Sequence, residues 1–360
     1  MKGFDTPIKK VRVPIEAIWS ELGQVLIKDM HTVSLYRKIS SGSEEECPPW
    51  ETKELAGFYR HFKELEGEDT AQARCERRLK SIKGLLQWGE ECDYEFTLPA
   101  VLDFKGRFRI LDGHRRAALA ISRGKKDIEL EVMYVSPLWL ELEQRLARIY
   151  GKNTLYQPID HPWFSDWAVS RSPERFDLIK KFLDSLGFEG WASKSHIDIG
   201  SCTGWLCRNF SKSGFQSIGF DFDPNVVFVA DYLNNVFGTN CTFYNSNGFK
   251  ILKQSNSSFR VITCLSVLHH YMWEEAGIGY KTFMDSLDLM LKRANIVFID
   301  LTTPTDKRVR VKNIPTEVGA FEEWAKRELG VGICVNLGHS KNDFARPLLA
   351  LSRMKSREDL

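Results

Sequence analysis

Ser195-His196-Ile197-Asp198-Ile199-Gly200-Ser201-Cys202-Thr203-Gly204 is the stretch that decides the fold of this chain. A short apolar run ends at an acidic residue, a loop with two glycines follows, and Trp205 begins a segment of helical pattern. Glycines suit such a loop because the backbone takes positive φ there and approaches a ligand closely. The N–H groups at a helix start favour negative or electron-rich groups. The stretch therefore predicts a strand, a tight turn and a helix, with a ligand site at the turn.

A second carboxylate follows at the spacing of a nucleotide site. Ile218-Gly219-Phe220-Asp221 has the pattern of a strand end. A carboxylate about twenty residues after a glycine loop can accept hydrogen bonds from ribose hydroxyls. Cys202 replaces the middle glycine that a pyrophosphate-binding loop requires. The pattern from Asp198 to Asp221 resembles the first two motifs of the class I S-adenosylmethionine-dependent methyltransferases.

This resemblance implies a Rossmann-like sheet, methyltransferase activity and S-adenosylmethionine as cofactor. In that family the glycine loop holds the methionine end of the cofactor, and the second carboxylate binds the ribose. The candidate cofactor-binding residues are Tyr156, Gln157, Arg175, Asp198, Gly200, Ser201, Cys202, Gly204, Asp221, Phe222, Asn247, Gly248 and Leu265. Asn247 stands where many members have an aspartate that accepts from the adenine amino group, so only its amide carbonyl suits this role.

The segment before the glycine loop is dense in aromatic and hydrogen-bonding groups. Ser172 and Pro173 predict a helix start, with Ser172 as N-cap and Pro173 at the first position. Tyr156-Gln157, His161-Pro162, Arg175 and Asp177 resemble elements of methyltransferases that act on bacterial surface polysaccharides and related sugars, including chain-terminating enzymes. The resemblance implies that Tyr156 and Gln157 contact the cofactor and that Arg175 neutralises its carboxylate. A purely structural lid is the alternative.

Two adjacent histidines follow the fourth predicted strand of this half, Phe259 to Leu265. Ser266-Val267-Leu268-His269-His270 resembles the fourth motif of the same sugar methyltransferase group. A histidine at a strand tip can accept a proton from a hydroxyl as the methyl group moves, because its pKa lies near working pH. We favour His270 over His269 as the catalytic base; the alternative is that both stabilise the turn.

The second half alternates strands and helices, which predicts an α/β, doubly wound sheet. Val331 to Leu337 and Ala345 to Leu351 would close a seven-stranded sheet as a late antiparallel hairpin, and Thr316 would cap the preceding helix. The basic residues Arg310, Lys312 and Arg346 are candidate substrate contacts, but a solvated charged surface is the favoured interpretation of each.

A second glycine turn lies in the first half of the chain. The run Asp112, Gly113, His114, Arg115 and Arg116 separates a predicted strand from a predicted helix. With the helical pattern of residues 79–84 and the apolar run 128–135, it resembles the ParB/sulfiredoxin superfamily. That resemblance implies a smaller α+β domain whose turn binds ATP or another nucleotide, with a kinase-like activity in some members. The alternative is a capped turn and a solvated helix face.

Length and composition set the remaining expectations. The 360 residues suit two domains, which we predict at residues 1–136 and 152–360, joined by an amphipathic linker helix at 137–151. Eight cysteines without a Cys-x-x-Cys pair argue against a disulfide framework or a zinc site, and no metal is expected. Because no run of about eighteen apolar residues occurs, we expect a cytoplasmic protein without membrane insertion. The oligomeric state is not predicted.

These patterns together predict a methyltransferase that acts on an oxygen of a sugar or glycan, including sugar phosphates. Phosphorylation by the first domain followed by methylation would cap a glycan chain. A nucleic-acid methyltransferase guided by the first domain is one alternative. The absence of an Asn/Asp-Pro-Pro-Tyr string and a net charge of only +2 disfavour it. A scaffold that binds both ligands without catalysis is the other.

Overall fold

The chain forms two compact units. The computed structural model describes residues 8–20, 25–40, 53–91, 96–170, 173–339 and 346–356. Unit 1 comprises Met1–Glu141 with His161–Trp163, and unit 2 comprises Leu142–Asp160 with Phe164–Leu360. The division falls inside the helix Pro137–Tyr150. The three-segment division at residues 136 and 152 stays a prediction.

Unit 1 is built on a five-stranded mixed sheet. Its strands are β1 (Lys9–Pro14), β2 (Ile18–Trp19), β3 (Thr97–Leu102), β4 (Phe108–Ile110) and β5 (Asp127–Val135). They lie in the order β1-β5-β3-β4-β2, with β3 parallel to β5 and antiparallel to β4. Alternate residues of β3 and β5 are buried, so one face of the sheet packs on the core of the unit.

The helices of unit 1 follow the predicted apolar spacing, with shifted ends. They are α1 (His31–Ser40), α2 (Lys53–Glu66), α3 (Glu68–Glu91) and α4 (His114–Ser122), and α5 (Pro137–Tyr150) follows. Helix α3 extends on both sides of residues 79–84, whose helical pattern was predicted, and Ile82 is buried on it. Strand β1 ends at Pro14 and a 3-10 turn follows at Ile15–Ala17, because Pro14 has no N–H to continue the ladder.

Unit 2 contains a seven-stranded sheet whose last two strands form an antiparallel hairpin, as predicted. The strands of unit 2 are β6 (Thr154–Leu155), β7 (Ala168–Val169), β8 (Ser195–Ile199), β9 (Gln216–Asp221), β10 (Cys241–Asn245), β11 (Phe259–Cys264), β12 (Ala294–Asp300), β13 (Ile333–Gly338) and β14 (Leu348–Ser352). The large sheet has the order β10-β9-β8-β11-β12-β14-β13, and β6 and β7 form a separate pair. Strand β14 runs antiparallel to both of its neighbours.

The order of this sheet places a ligand crevice beside β8. The chain adds β9 and β10 on one side of β8 and then β11 and β12 on the other. The carboxyl ends of β8 and β11 therefore meet at the topological switch point, where open α/β sheets bind ligands. Helices between the strands are α6 (Glu174–Ser185), α7 (Trp205–Lys212), α8 (Pro224–Phe237), α9 (Gly248–Gln254), α10 (Leu268–Trp273), α11 (Ala276–Arg293) and α12 (Val318–Leu329).

The starts of α12 and α6 differ from the predicted ones. Thr316 does not cap α12: the helix begins at Val318 after Glu317, and no side-chain cap bond forms. Thr316 is therefore one residue too far from the helix to reach its first free N–H groups. Ser172 lies outside the described residues, and Pro173 is the N-cap residue of α6 instead of its first helical residue. Within the described part of the chain, no helix is long and apolar enough to span a bilayer.

Candidate cofactor and active site

The glycine loop between β8 and α7 has the backbone that its sequence requires. Gly200 and Gly204 have φ of +77° and +74°. A Cβ on Gly200 would lie 2.4 Å from Val267 Cγ2, and one on Gly204 would lie 2.4 Å from Phe243 Cζ. Cys202 also has a positive φ, +52°, which costs a residue with a Cβ about 1–2 kcal/mol. Such strain clusters at ligand sites.

Asp221 joins the loop to the end of β9. Its Oδ2 accepts from the Cys202 N–H at 2.9 Å, and its Oδ1 accepts from the Asp223 N–H at 3.0 Å. Burial raises the pKa of Asp221, although both N–H groups oppose the shift. The ring of Phe222, the next residue, is 86% exposed. An acceptor and an exposed ring thus stand together where the ribose and the base are expected.

A narrow cavity opens between the loop and the segment before it. It is lined by Tyr156, Gln157, Pro158, Arg175, Asp198, Gly200, Trp205, Leu206, Leu265 and Ser266. Six of these belong to the predicted cofactor site; the other four, Pro158, Trp205, Leu206 and Ser266, were missed. Gln157 Oε1 accepts from Thr203 Oγ1 and from the Trp205 N–H, each at 3.3 Å. The side chain of Gln157 therefore ties this segment to the start of α7.

The remaining predicted cofactor residues lie around the loop without lining the cavity. Ser201 is fully buried, and Gly248 is buried with Phe220 beside it. The side-chain oxygen of Asn247, Oδ1, accepts from the Lys250 N–H at 3.2 Å and so caps α9. An amide oxygen has two lone pairs, so Asn247 can still accept a second hydrogen bond.

A buried ion cluster at the end of β12 was not predicted. Asp300 Oδ1 accepts from the Ser266 N–H at 2.6 Å, and Oδ2 lies 3.3 Å from Arg175 Nη2 and 3.6 Å from Arg346 Nη1. Burial would raise the pKa of Asp300, but Arg175, His269, the Ser266 N–H and Arg346 together lower it. The solvated surface favoured for Arg346 is wrong, since this residue is 3% exposed. Packing against Asp300, far away in sequence, explains the difference.

The two histidines on α10 have different surroundings. His269 is buried, and Arg346 Nη1 lies 3.1 Å from its Nδ1 and 3.3 Å from its Nε2. His270 is exposed. Burial of part of its ring lowers the pKa of His270, and the charges of Arg346 and Arg308 lower it further. His270 is therefore neutral at physiological pH and accessible to an acceptor substrate. The other two basic candidates for substrate contact, Arg310 and Lys312, are exposed as expected.

Unit 1 has a separate cavity at its glycine turn. It is lined by the five predicted residues, Asp112, Gly113, His114, Arg115 and Arg116, and by Met30, Arg78 and Ser81. Gly113 has φ +84° and precedes α4, and its Cβ would lie 2.4 Å from Leu98 Cδ2. Burial and the charge of Arg115 lower the pKa of Arg78. Helical periodicity placed α3 correctly but gave no indication that it brings Arg78 and Ser81 to the turn.

Comparisons with known proteins identify part of the chain. Residues 172–315 match a family model described as a methyltransferase domain, and no curated protein matches. Among solved structures, the bifunctional kinase-methyltransferase WbdD is 19% identical, covering 59% of this chain and 46% of its own, with a TM-score of 0.49. Magnesium protoporphyrin IX methyltransferase (ChlM) from Synechocystis PCC 6803 with bound SAM is 18% identical, covering 58% of this chain and 90% of its own, with a TM-score of 0.39. The chain thus spans less than half the length of WbdD.

Unit 2 contains a methyltransferase domain, residues 172–315. The family match covers β8 to β12 and every loop at the switch point. The residues present fit the cofactor: the loop has no room for a Cβ at Gly200, Asp198 lines the cavity, where a cationic ligand would stabilise its charged form, and Asp221 is an acceptor for hydroxyls. The acceptor of the methyl group is a separate question.

Proposed function

We propose that the protein transfers the methyl group of S-adenosylmethionine to a hydroxyl oxygen of a sugar or glycan. The observation that carries the proposal is the position of His270. It stands on α10, directly after the strand tip whose Leu265 and Ser266 line the cofactor cavity. It is exposed, and its pKa is lowered, first by burial of part of the ring. A neutral imidazole at this place can take the proton that a hydroxyl releases on methylation.

The protein accelerates methyl transfer mainly by positioning the two reactants and by supplying a proton acceptor. S-adenosylmethionine supplies a methyl group already activated on a sulfonium. The glycine loop and Asp221 fix the bound geometry, and positioning of this kind contributes about 7–11 kcal/mol to lowering a barrier. A base at His270 adds roughly a hundredfold or more. An ionised phosphate oxygen of a sugar phosphate has no proton to lose, so methylation at that oxygen would not require His270.

The choice of a sugar rests on the resemblance of the α10 motif and on the charge of the chain. Ser266-Val267-Leu268-His269-His270 resembles the sugar methyltransferase group, and the Asn/Asp-Pro-Pro-Tyr string of amino-directed DNA enzymes is absent. The net charge of +2 gives no general attraction to a polyanion. A sugar hydroxyl therefore agrees better with the sequence than a nucleic-acid base does.

Methyl transfer from labelled S-adenosylmethionine to a panel of neutral and phosphorylated glycans tests the proposal. We expect label in a glycan and release of S-adenosylhomocysteine. His270→Gln should lower the rate by about a hundredfold or more while S-adenosylmethionine still binds. His339→Gln, at an exposed histidine elsewhere in unit 2, should leave the rate unchanged. Label in nucleic acid with salt-dependent retention, or no release of S-adenosylhomocysteine with any acceptor, would contradict the proposal.

Unit 1 supports a second candidate function, the binding of a nucleotide phosphate at its glycine turn. Arg78, Arg115 and Arg116 line one cavity together with the start of α4, and arginines and helix N-termini both favour phosphate oxygens. Calorimetry with ATP should show binding that Arg115→Ala weakens by at least tenfold. Lys83→Ala, at an exposed residue of α3, should not weaken it. Equal affinities for the two variants would contradict the site.

A further inference from the structure

A row of polar side chains crosses the interior of the large sheet. Ser217 on β9, His196 and Asp198 on β8, and Thr263 on β11 are all buried, with His196 and Thr263 fully so. Strands buried on both faces of a parallel sheet are normally continuous apolar runs. Polar groups kept in such a place are costly unless every one is hydrogen-bonded. The row therefore requires a physical reason.

The four side chains form one continuous chain of hydrogen bonds. His196 Nδ1 lies 2.6 Å from Ser217 Oγ, and His196 Nε2 lies 2.9 Å from Thr263 Oγ1. Thr263 Oγ1 donates to Asp198 Oδ1 at 2.6 Å. The His196 ring also stacks on Phe210, with centroids 3.7 Å apart and an interplanar angle of 16°. Two edge contacts and one face contact fix the position of the imidazole.

The direction of donation along this row of hydrogen bonds follows from the charge of Asp198. An ionised carboxylate only accepts, so Thr263 must use its one hydroxyl proton for Asp198. The oxygen of Thr263 then accepts from Nε2–H of His196, and the bare Nδ1 accepts from Ser217. Burial holds the pKa of His196 well below its ordinary value, so the ring is neutral. His196 is therefore an Nε2–H tautomer whenever Asp198 is charged.

Asp198 needs this support because its charge is marginal. Burial raises the pKa of Asp198 to about 7, the Thr263 hydroxyl opposes the shift, and the charge of Asp221 on β9 adds to it. The other titratable groups near it are Cys207 on α7, with Sγ at 4.0 Å, and Cys264 on β11. Burial raises the pKa of both thiols, so both are neutral. Arg175 of α6 lines the same cavity.

We infer that His196 is a positioning residue for the cofactor: through Thr263 it keeps Asp198 charged and oriented toward the cationic ligand. Both forms of the cofactor carry an ammonium group, and S-adenosylmethionine carries in addition a sulfonium that S-adenosylhomocysteine lacks. The chain of hydrogen bonds therefore favours binding of the substrate form of the cofactor over the product form. The inference concerns the cofactor alone, so it does not depend on which acceptor is methylated.

Calorimetry with both forms of the cofactor tests the inference. Thr263→Val keeps the shape of the side chain but cannot donate. A lost hydrogen bond to a charged group should weaken S-adenosylmethionine about tenfold at pH 7. S-adenosylhomocysteine should be weakened less, because it retains only one of the two cationic groups, the ammonium, for the carboxylate to attract. Thr263→Ser restores the donor and should restore the preference, and Ser352→Ala, at a buried serine of β14, should leave both affinities as they are.

A result in which Thr263→Val weakens both ligands equally would overturn the inference, since it would show a purely structural role. Unchanged binding of both would overturn it as well.

A spectroscopic measurement on the unaltered protein tests the direction of the hydrogen bonds directly, and a variant serves only to assign the signal. With ¹⁵N-labelled histidine and bound S-adenosylmethionine, the His196 ring should show a protonated Nε2 and a bare Nδ1. A protonated Nδ1, or an imidazolium, would overturn the inference because the hydrogen bonds would then run in a different direction. The His196→Phe variant identifies the signal, since its spectrum lacks that one ring.

Discussion

Replacing Gly200 by alanine should disrupt the cofactor loop, and the structure separates two causes. At φ +77° the added Cβ costs about 1–2 kcal/mol in backbone strain. The same Cβ would lie 2.4 Å from Val267 Cγ2, and forcing an extra methyl group into a packed site costs about 1–3 kcal/mol more. The expected total is about 2–5 kcal/mol.

Gly330 provides a matched control for the cost of backbone strain alone. It ends α12 at φ +64°, and no atom lies within 4 Å of its hypothetical Cβ. Gly330→Ala should therefore cost only about 1–2 kcal/mol. At about 2–4 °C per kcal/mol for a unit of this size, Gly200→Ala should lower the melting temperature by about 4–20 °C and Gly330→Ala by about 2–8 °C.

Scanning calorimetry, followed by titration with S-adenosylmethionine, checks both parts of this prediction. Gly200→Ala should melt earlier than Gly330→Ala and bind the cofactor at least about tenfold more weakly, whereas Gly330→Ala should bind normally. Adding Val267→Ala to Gly200→Ala should recover the steric part of the loss, so the pair should be less than additive. Equal melting of the two glycine variants with normal cofactor binding would refute the reasoning.

Three further outcomes follow from the same site. Asp300→Asn leaves Arg175 and Arg346 without their buried counter-charge and should cost about 3–5 kcal/mol, seen as a lower melting temperature at pH 7. Because the folded-state pKa of Asp300 is lowered, its stabilisation is present above its ordinary pKa of 3.8 and is lost as pH falls through the folded value. The difference from the unaltered protein should therefore shrink in acid. His270 has a lowered pKa, so the acid limb of the methyl-transfer rate should lie below pH 6.5 and disappear in His270→Gln. Asp221→Ala should weaken S-adenosylmethionine at least about tenfold, measured by titration calorimetry; an unchanged affinity would exclude the ribose contact.

Local patterns predicted the parts of the fold that depend on local forces. The glycine loop, the spacing from Asp198 to Asp221 and the alternation of apolar segments predicted β8, α7 and β9, and α7 begins at Trp205 as predicted. The late hairpin was predicted because its two apolar runs are too close in sequence for a helical crossover.

Long-range pairing could not be predicted in the same way. Asp300 meets Arg175 across 125 positions of the sequence, and Arg346 was assigned to the surface because no local pattern indicates that Asp300 is its partner. His196 was treated only as part of a strand, since the identity of its partners depends on which strands become neighbours. The sheet order, and not the local sequence, brings Ser217 and Thr263 to either side of its ring.

The central claim is that the loop between β8 and α7 holds S-adenosylmethionine, with Asp221 on its ribose. A crystal structure of the protein grown with S-adenosylhomocysteine tests this most directly. We predict electron density for the ligand in the cavity lined by Gln157 and Gly200, with both ribose hydroxyls within hydrogen-bonding distance of Asp221. An empty cavity at saturating ligand, or the ligand bound at another surface, would contradict the claim.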